Sequence, residues 1–249
     1  MADALPDTAA LSATADALAD AFADALAGRS AEIEALRHLP DDVADALAAS
    51  GLLRLLTPAE LGGLERPPAE YVSIIERLAR ADAAVAWCAF ISCTSTVLAA
   101  YLPADTAQAL FARPRLKAAG VFAPRGQAVP EVVDGVAGYR ISGRWPWGSG
   151  ARHADVVSGG CLVSGDDGQP RRGADGAPWV MSVVFERAQV QVLDNWTAVG
   201  LCGTGSGEFE VSGVFVPAAR TASLLDGPRL QTPDRKSTRL NSSHLGISR

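Results

Sequence analysis

From Ala83 to Leu102 the chain runs twenty residues without a charged side chain. A stretch of that length must leave water, either by spanning a bilayer or by lying inside a domain large enough to bury a helix on most faces. Its centre, Ser92-Cys93-Thr94-Ser95-Thr96, carries too many hydroxyls for a span, and no basic cluster flanks it to set an orientation. The expectation is a buried helix in a helical domain, with no membrane. The rest of the first half agrees. Leu11, Leu18, Phe22 and Leu26 fall on one helical stripe, with Gly28 as a stop. Pro40-Asp41-Asp42 opens a second helix with acids at its positive end, Val43 and Leu47 facing inward, and a stop at Gly51. Leu61-Gly62-Gly63 and Pro67-Pro68 mark a loop. Further helices are expected over 69–81 and 105–111.

Composition bounds the function. The 249 residues are 48% hydrophobic, enough for a sizeable core. Lys plus Arg minus Asp plus Glu is 22 − 28 = −6. That balance argues against nucleic-acid or anionic-membrane partners, which need a basic surface. The first 28 residues hold no Lys or Arg but do hold Asp3, Asp7, Asp16, Asp20 and Asp24, so they do not read as a secretory signal. Cys88, Cys93, Cys161 and Cys202 form no CxxC pair and do not cluster with His, which predicts free thiols and a cytoplasmic protein. No two His lie at ligand spacing, so no metal site is expected.

After Arg115 the period changes. Gly and β-branched residues rise, and alternation replaces the three-four spacing. Strands are expected over 117–122, 139–142, 155–163, 179–185, 190–192 and 208–216, separated by turn clusters such as Ser164-Gly165-Asp166-Asp167-Gly168. The predicted fold class is α+β: an N-terminal helical domain, 1–115, followed by a small antiparallel β-barrel or sandwich domain, 116–225. Gly203-Thr204-Gly205-Ser206-Gly207 lacks the lysine and following helix of a phosphate loop. It reads as a turn whose small residues let another segment approach.

Residues 226–233 read as the start of a linker, and 234–249 as something else. Residues 234–244, DRKSTRLNSSH, back-translate codon by codon into the common adapter of short-read sequencing libraries, and the following residues fit an index and the adapter's continuation until Arg249. The expectation is a disordered artefact replacing a missing C-terminal part.

Three segments carry a resemblance. Gly51 to Pro58 with Glu60-Leu61-Gly62-Gly63 resembles a motif in the helical N-terminal domain of acyl-CoA dehydrogenases. Ser142-Gly143-Arg144-Trp145-Pro146-Trp147-Gly148-Ser149-Gly150, continuing to His153-Ala154-Asp155, is similar to the flavin-side strand of that superfamily. Trp196, then Val199 to Ser206 and Val214-Phe215-Val216-Pro217, resembles the end of its β domain. The wording of the last two is closest to the flavin-dependent hydroxylases, the oxygenase components of two-component monooxygenases. Cys202 departs by replacing the usual Arg, and Gly148 stands where that branch often has Ser or Ala.

The resemblance implies the acyl-CoA dehydrogenase fold, whose C-terminal helical bundle is missing here. It implies a flavin, FAD or FMN, delivered reduced by a separate flavin reductase, a small aromatic or related substrate, and a homotetramer. Trp147 would flank the flavin ring and Ser149 would donate towards its N5/O4 edge. Phe122, Ala123, Pro124 and Gly126 would lie against the flavin. Their loop lacks the acid and Ser-Asp pair usual in the superfamily, with Ala123, Ala128 and Val129 in that area, which favours the hydroxylase branch. His153 is a weaker candidate for contact or catalysis. The family's catalytic base falls in the missing part. The alternatives are an acyl-CoA dehydrogenase, desaturating an acyl thioester, and an inactive truncated fragment.

Overall fold

The computed structural model describes residues 8–230 apart from 166, 174 and 175. The side chain of Leu11, residues 231–233 of the linker, the adapter-like tail and its His244 lie outside the described residues.

Among the described residues six α-helices come first: α1 Thr8–Ala25, α2 Ser30–Leu36, α3 Asp41–Ala49, α4 Pro68–Ala81, α5 Ala83–Thr96 and α6 Ala104–Phe111. In α1 the buried line is Ala15, Ala19 and Phe22, continued by Leu26 just past its end, while Leu18 stays exposed. α1 packs on α4, and small buried residues are what let two helices approach closely. The acid-rich start at Asp41, the inward Val43 and Leu47, and the left-handed Gly51 stop are all present. The sequence reading did not foresee α2.

The uncharged run is α5, continued by a 3-10 segment over Val97–Tyr101. Two-thirds of it is buried inside the protein, so its length and hydropathy reflect a core helix. Asp82 caps it by accepting from the amides of Ala84 and Val85, both at 2.9 Å. Two of its central hydroxyls bond within the helix, while the buried Ser95 Oγ has no hydrogen-bond partner among the described residues. Thr94 donates to Phe90 O and Thr96 to Cys93 O, at 3.0 and 2.8 Å, a back-bonding that loosens the α-helical ladder where the 3-10 segment begins. Ser92 accepts the amide of Ala118 at 3.2 Å, tying α5 to the sheet.

Among the described residues seven strands form one sheet in the order β5-β6-β2-β1-β3-β4-β7. They are β1 Ala118–Val133, β2 Val136–Trp145, β3 Val156–Val163, β4 Val180–Glu186, β5 Gln191–Val192, β6 Phe209–Pro217 and β7 Thr221–Ala222. The architecture of helices followed by a β region is as expected, but the expected antiparallel pairing is incomplete, because β1 and β3 are parallel. The reason is topological. β2 turns back antiparallel to β1 and returns the chain to the end where β1 begins. Residues 146–155 then pass to the far side of β1 and start β3 in β1's direction. The expected loop at 123–126 is instead a bulged stretch inside β1, with register shifts around Pro124. β1 and β2 join through Asp134-Gly135, both left-handed, as a two-residue hairpin requires.

The sheet curls around Trp145, which is fully buried. Its ring stacks on Phe209 of β6 at 5.1 Å and tilts against Phe185 of β4 at 5.9 Å, although these strands lie apart in the sheet order. Its Nε1 donates to Gly160 O at 2.8 Å. Gly126, Gly143 and Gly159 cradle it; a Cβ on any of them would stand 2.4 to 2.7 Å from the indole. A separate apolar cluster joins the halves, with Leu98, Leu102, Leu110 and Phe111 packed on Ala118, Val156 and Val184.

Candidate functional site

The segment that carries the chain from β2 to β3 also carries the residues singled out in the sequence. Trp147 sits at φ +62 and leaves 66% of its surface exposed. A left-handed backbone is costly for a bulky residue, and a solvated indole wastes apolar surface. Such an outlier persists where its surroundings fix it. Here Gly148 N donates to Gly207 O and Gly150 N to Thr204 O, at 2.8 and 3.1 Å. The segment is thus stapled to the 202–207 turn. That turn packs on the helices: a Cβ at Gly203 would stand 2.1 Å from Ile33 Cγ2, the close approach its composition suggested.

Behind Trp147, Ser149 is buried and anchors a chain of hydrogen bonds. Trp87 Nε1 of α5 donates to Ser149 Oγ at 2.9 Å. Ser149 Oγ meets Ser206 Oγ at 2.6 Å, and Ser206 Oγ meets Thr204 Oγ1 at 2.5 Å. Thr204 Oγ1 donates to Leu201 O at 2.9 Å. The ends fix the direction, since an indole N–H only donates and a carbonyl only accepts. Each hydroxyl therefore donates towards Leu201, and the Ser149 proton goes to Ser206. In this arrangement the Ser149 proton is spent inside the row, and one lone pair on its oxygen is left over. Trp87 is held in turn by stacking on Phe90 at 5.4 Å and 10°, with Tyr71 beyond at 5.6 Å.

The other candidates divide. Phe122 is exposed at the bulge of β1, followed by exposed Ala123 and Pro124. Gly126 is buried and faces Trp145 and Cys161, so its first role is core packing. Pro124 and Gly126 line a shallow groove of about 520 Å³ with Arg125, Gln127 and Arg144; Phe122, Trp147 and Ser149 do not. His153 lies at the seam with the helices. Its Nε2 bonds Leu39 O at 2.8 Å, its Nδ1 lies 3.4 Å from Asp41, and burial holds its pKa below the usual imidazole value. Both ring nitrogens face the N-terminal half. Cys88, Cys93 and Cys161 are free thiols pushed up to about 12 by burial, which makes them poor nucleophiles. Cys202, where the resemblance has Arg, turns its thiol to Ala198 O at 2.8 Å. Sequence reasoning missed Trp87; no local signal ties it to a residue 62 positions away.

Residues 8–109 match the family described as acyl-CoA dehydrogenase, N-terminal domain. The β region that follows matches too, within relatives aligned over 82% of the chain. Residues 8–109 thus carry an acyl-CoA dehydrogenase N-terminal domain. Among the proteins the chain is similar to, an indole-3-acetate monooxygenase of Pseudomonas putida is 35% identical, with 82% of this chain and 50% of the relative covered. The oxygenase subunit HsaA of a flavin-dependent monooxygenase from Rhodococcus jostii (strain RHA1) is 32% identical, with 82% and 51% covered. The solved structure of XiaF from Streptomyces sp., in complex with FADH2 and glycerol, superposes with a TM-score of 0.77 at 30% identity, over 87% of this chain and 52% of that one. The chain spans about half the length of the curated relatives it matches.

Two observations fit a flavin at this site. An exposed indole held out on a strained backbone offers a flat apolar wall to a flat ring. The buried Ser149 beside it keeps an unused lone pair.

Proposed function

We propose that the protein to which this chain belongs is a reduced-flavin-dependent monooxygenase that hydroxylates an aromatic or related small molecule. It acts as the oxygenase component beside a separate flavin reductase. The single observation that carries the reading is the Trp147–Ser149 segment, with its exposed indole and buried hydroxyl chain. The names of its relatives support it, both as monooxygenases and as oxygenase subunits or components. Bound FADH2 in XiaF, and FMN with indole in TdsC from Paenibacillus sp. A11-2, support a reduced flavin and an aromatic substrate.

A reduced flavin would supply the activation of dioxygen. The task of this chain is to hold it. Trp147 would cover one face of the ring and keep water from it. Ser149 would meet a polar edge atom from below, and Phe122, Ala123 and Pro124 would border the ring from β1. The dehydrogenase alternative needs a carboxylate to remove a substrate proton, and the relatives named above are oxygenases. We also assign the protein to the cytoplasm, in keeping with its free thiols, and the complete protein to a homotetramer.

The test is an anaerobic titration of this chain with reduced FMN and reduced FAD, followed by tryptophan fluorescence. Saturable quenching is expected, and Trp147→Ala should weaken binding about tenfold, the upper value for one aromatic stacking contact. Failure of the wild-type chain to bind either flavin overturns the reading and favours an inert fragment.

A further inference from the structure

The hydroxyl chain has a property that its contacts alone do not make obvious. Four protons, those of Trp87 Nε1 and three hydroxyls, serve four hydrogen bonds ending on Leu201 O. None is left over. Ser149 can therefore accept one more hydrogen bond, but it can donate one only if the row reverses. Reversal makes Thr204 donate to Ser206, Ser206 to Ser149, and Ser149 outward, while Trp87 still donates to Ser149. It forfeits the bond from Thr204 to Leu201 O, a carbonyl that also receives Thr204 N and Trp196 Nε1, each at 3.1 Å.

We infer that Trp87, Ser206 and Thr204 are positioning residues that make Ser149 an acceptor, and so bias the site towards a ligand edge that brings its own hydrogen. This rests on the flavin reading above. A reduced flavin carries a hydrogen on N5, whereas the oxidised ring presents a bare lone pair there. With the reduced form facing Ser149 the row makes five hydrogen bonds; with the oxidised form it makes four. One net hydrogen bond corresponds to a preference of about fivefold.

Removing the Thr204 hydroxyl without changing its shape erases the difference. In Thr204→Val the Ser206 proton loses its acceptor, the row can point either way, and each flavin form finds three hydrogen bonds. Ser206→Ala erases it by a second route, because it frees the Ser149 proton directly. Thr204→Ser restores it.

The experiment measures dissociation constants of oxidised and reduced FMN and FAD for the wild-type chain and these variants, with folding checked by circular dichroism. The ratio of oxidised to reduced constants should fall about fivefold in Thr204→Val and in Ser206→Ala. It should return to the wild-type value in Thr204→Ser. The midpoint potential of the bound flavin should fall by about 20 mV in the first two, since tenfold is 29.6 mV for a two-electron couple. Variants that bind both forms with the wild-type ratio overturn this inference and leave the flavin reading standing. A wild-type chain that binds neither form removes the flavin reading, and this inference with it.

Discussion

Gly159 is a position where a single methyl group should reverse its effect according to one distant neighbour. The three atoms nearest a Cβ at Gly159 all belong to Trp145, at 2.7, 2.7 and 3.1 Å. The backbone there is not in the left-handed region, so alanine itself adds no conformational strain. In the wild-type chain Gly159→Ala must push the indole against Phe185 and Phe209, at a cost of about 1–3 kcal/mol typical of an overpacked core. Trp145→Leu alone should cost about 3 kcal/mol, the low end for losing a buried tryptophan, because leucine refills part of the hole. With the indole gone, the Gly159→Ala methyl enters free space and should be neutral or stabilising by up to about 0.8 kcal/mol, the value of one buried methylene-sized group. Urea unfolding of the four proteins closes the cycle, with a coupling of at least about 1 kcal/mol. Additive effects, with Gly159→Ala equally costly in both backgrounds, would refute the packing argument.

Other expectations follow from single contacts. Asp82→Ala removes an acceptor used by two amides at the start of α5 and should lower stability by about 1 kcal/mol in urea unfolding, with Asp82→Asn recovering most of it. Gly135→Ala touches nothing within 4 Å, so its cost of about 1 kcal/mol should be purely conformational, from forcing φ +79 on a side chain. Burial lowers the folded pKa of His153 below its unfolded 6.5. The unfolded chain then binds the extra proton as pH falls through 6.5, so stability is lost on that side. The drop in Tm between pH 7.5 and 5.5 should be shallower in His153→Gln. At pH 8 a thiol reagent should modify only the partly exposed Cys202, and Cys88, Cys93 and Cys161 only after unfolding.

The helices were readable because their signals are local. Pro40-Asp41-Asp42, Gly51 and Pro68 each punctuate the chain at the position where they stand. What failed was the weighting of size: Leu18 looked like core, yet it stays at the surface while the smaller Ala15 and Ala19 are buried. In the sheet, Pro124 and Gly126 read as a loop, but a bulge absorbs them and β1 continues to Val133. The Asp134-Gly135 hairpin signal lay in plain sight between apolar residues. The parallel pairing of β1 with β3 has no local signature, because it depends on where the chain re-enters the sheet. At the site, the motif pointed to Trp147 and Ser149. The state of Ser149 depends on Trp87, Ser206 and Thr204, and which proton goes where is a property of their arrangement in space.

The route from β2 to β3 serves two purposes, which bears on how such a protein can diversify. Residues 146–155 both present Trp147 and Ser149 and deliver the chain to the far side of β1 in the correct register. An inserted or deleted residue there would displace Trp147 and Ser149 and misalign a central strand together, so the length of this segment is locked. The stretch between β3 and β4 lies outside the named strands and is tied across itself by isolated bridges, Ser164 with Pro170 and Arg172 with Pro178. Length variation, in natural descent or in a randomised library, belongs in that stretch, and the 146–155 segment should be varied by substitution alone.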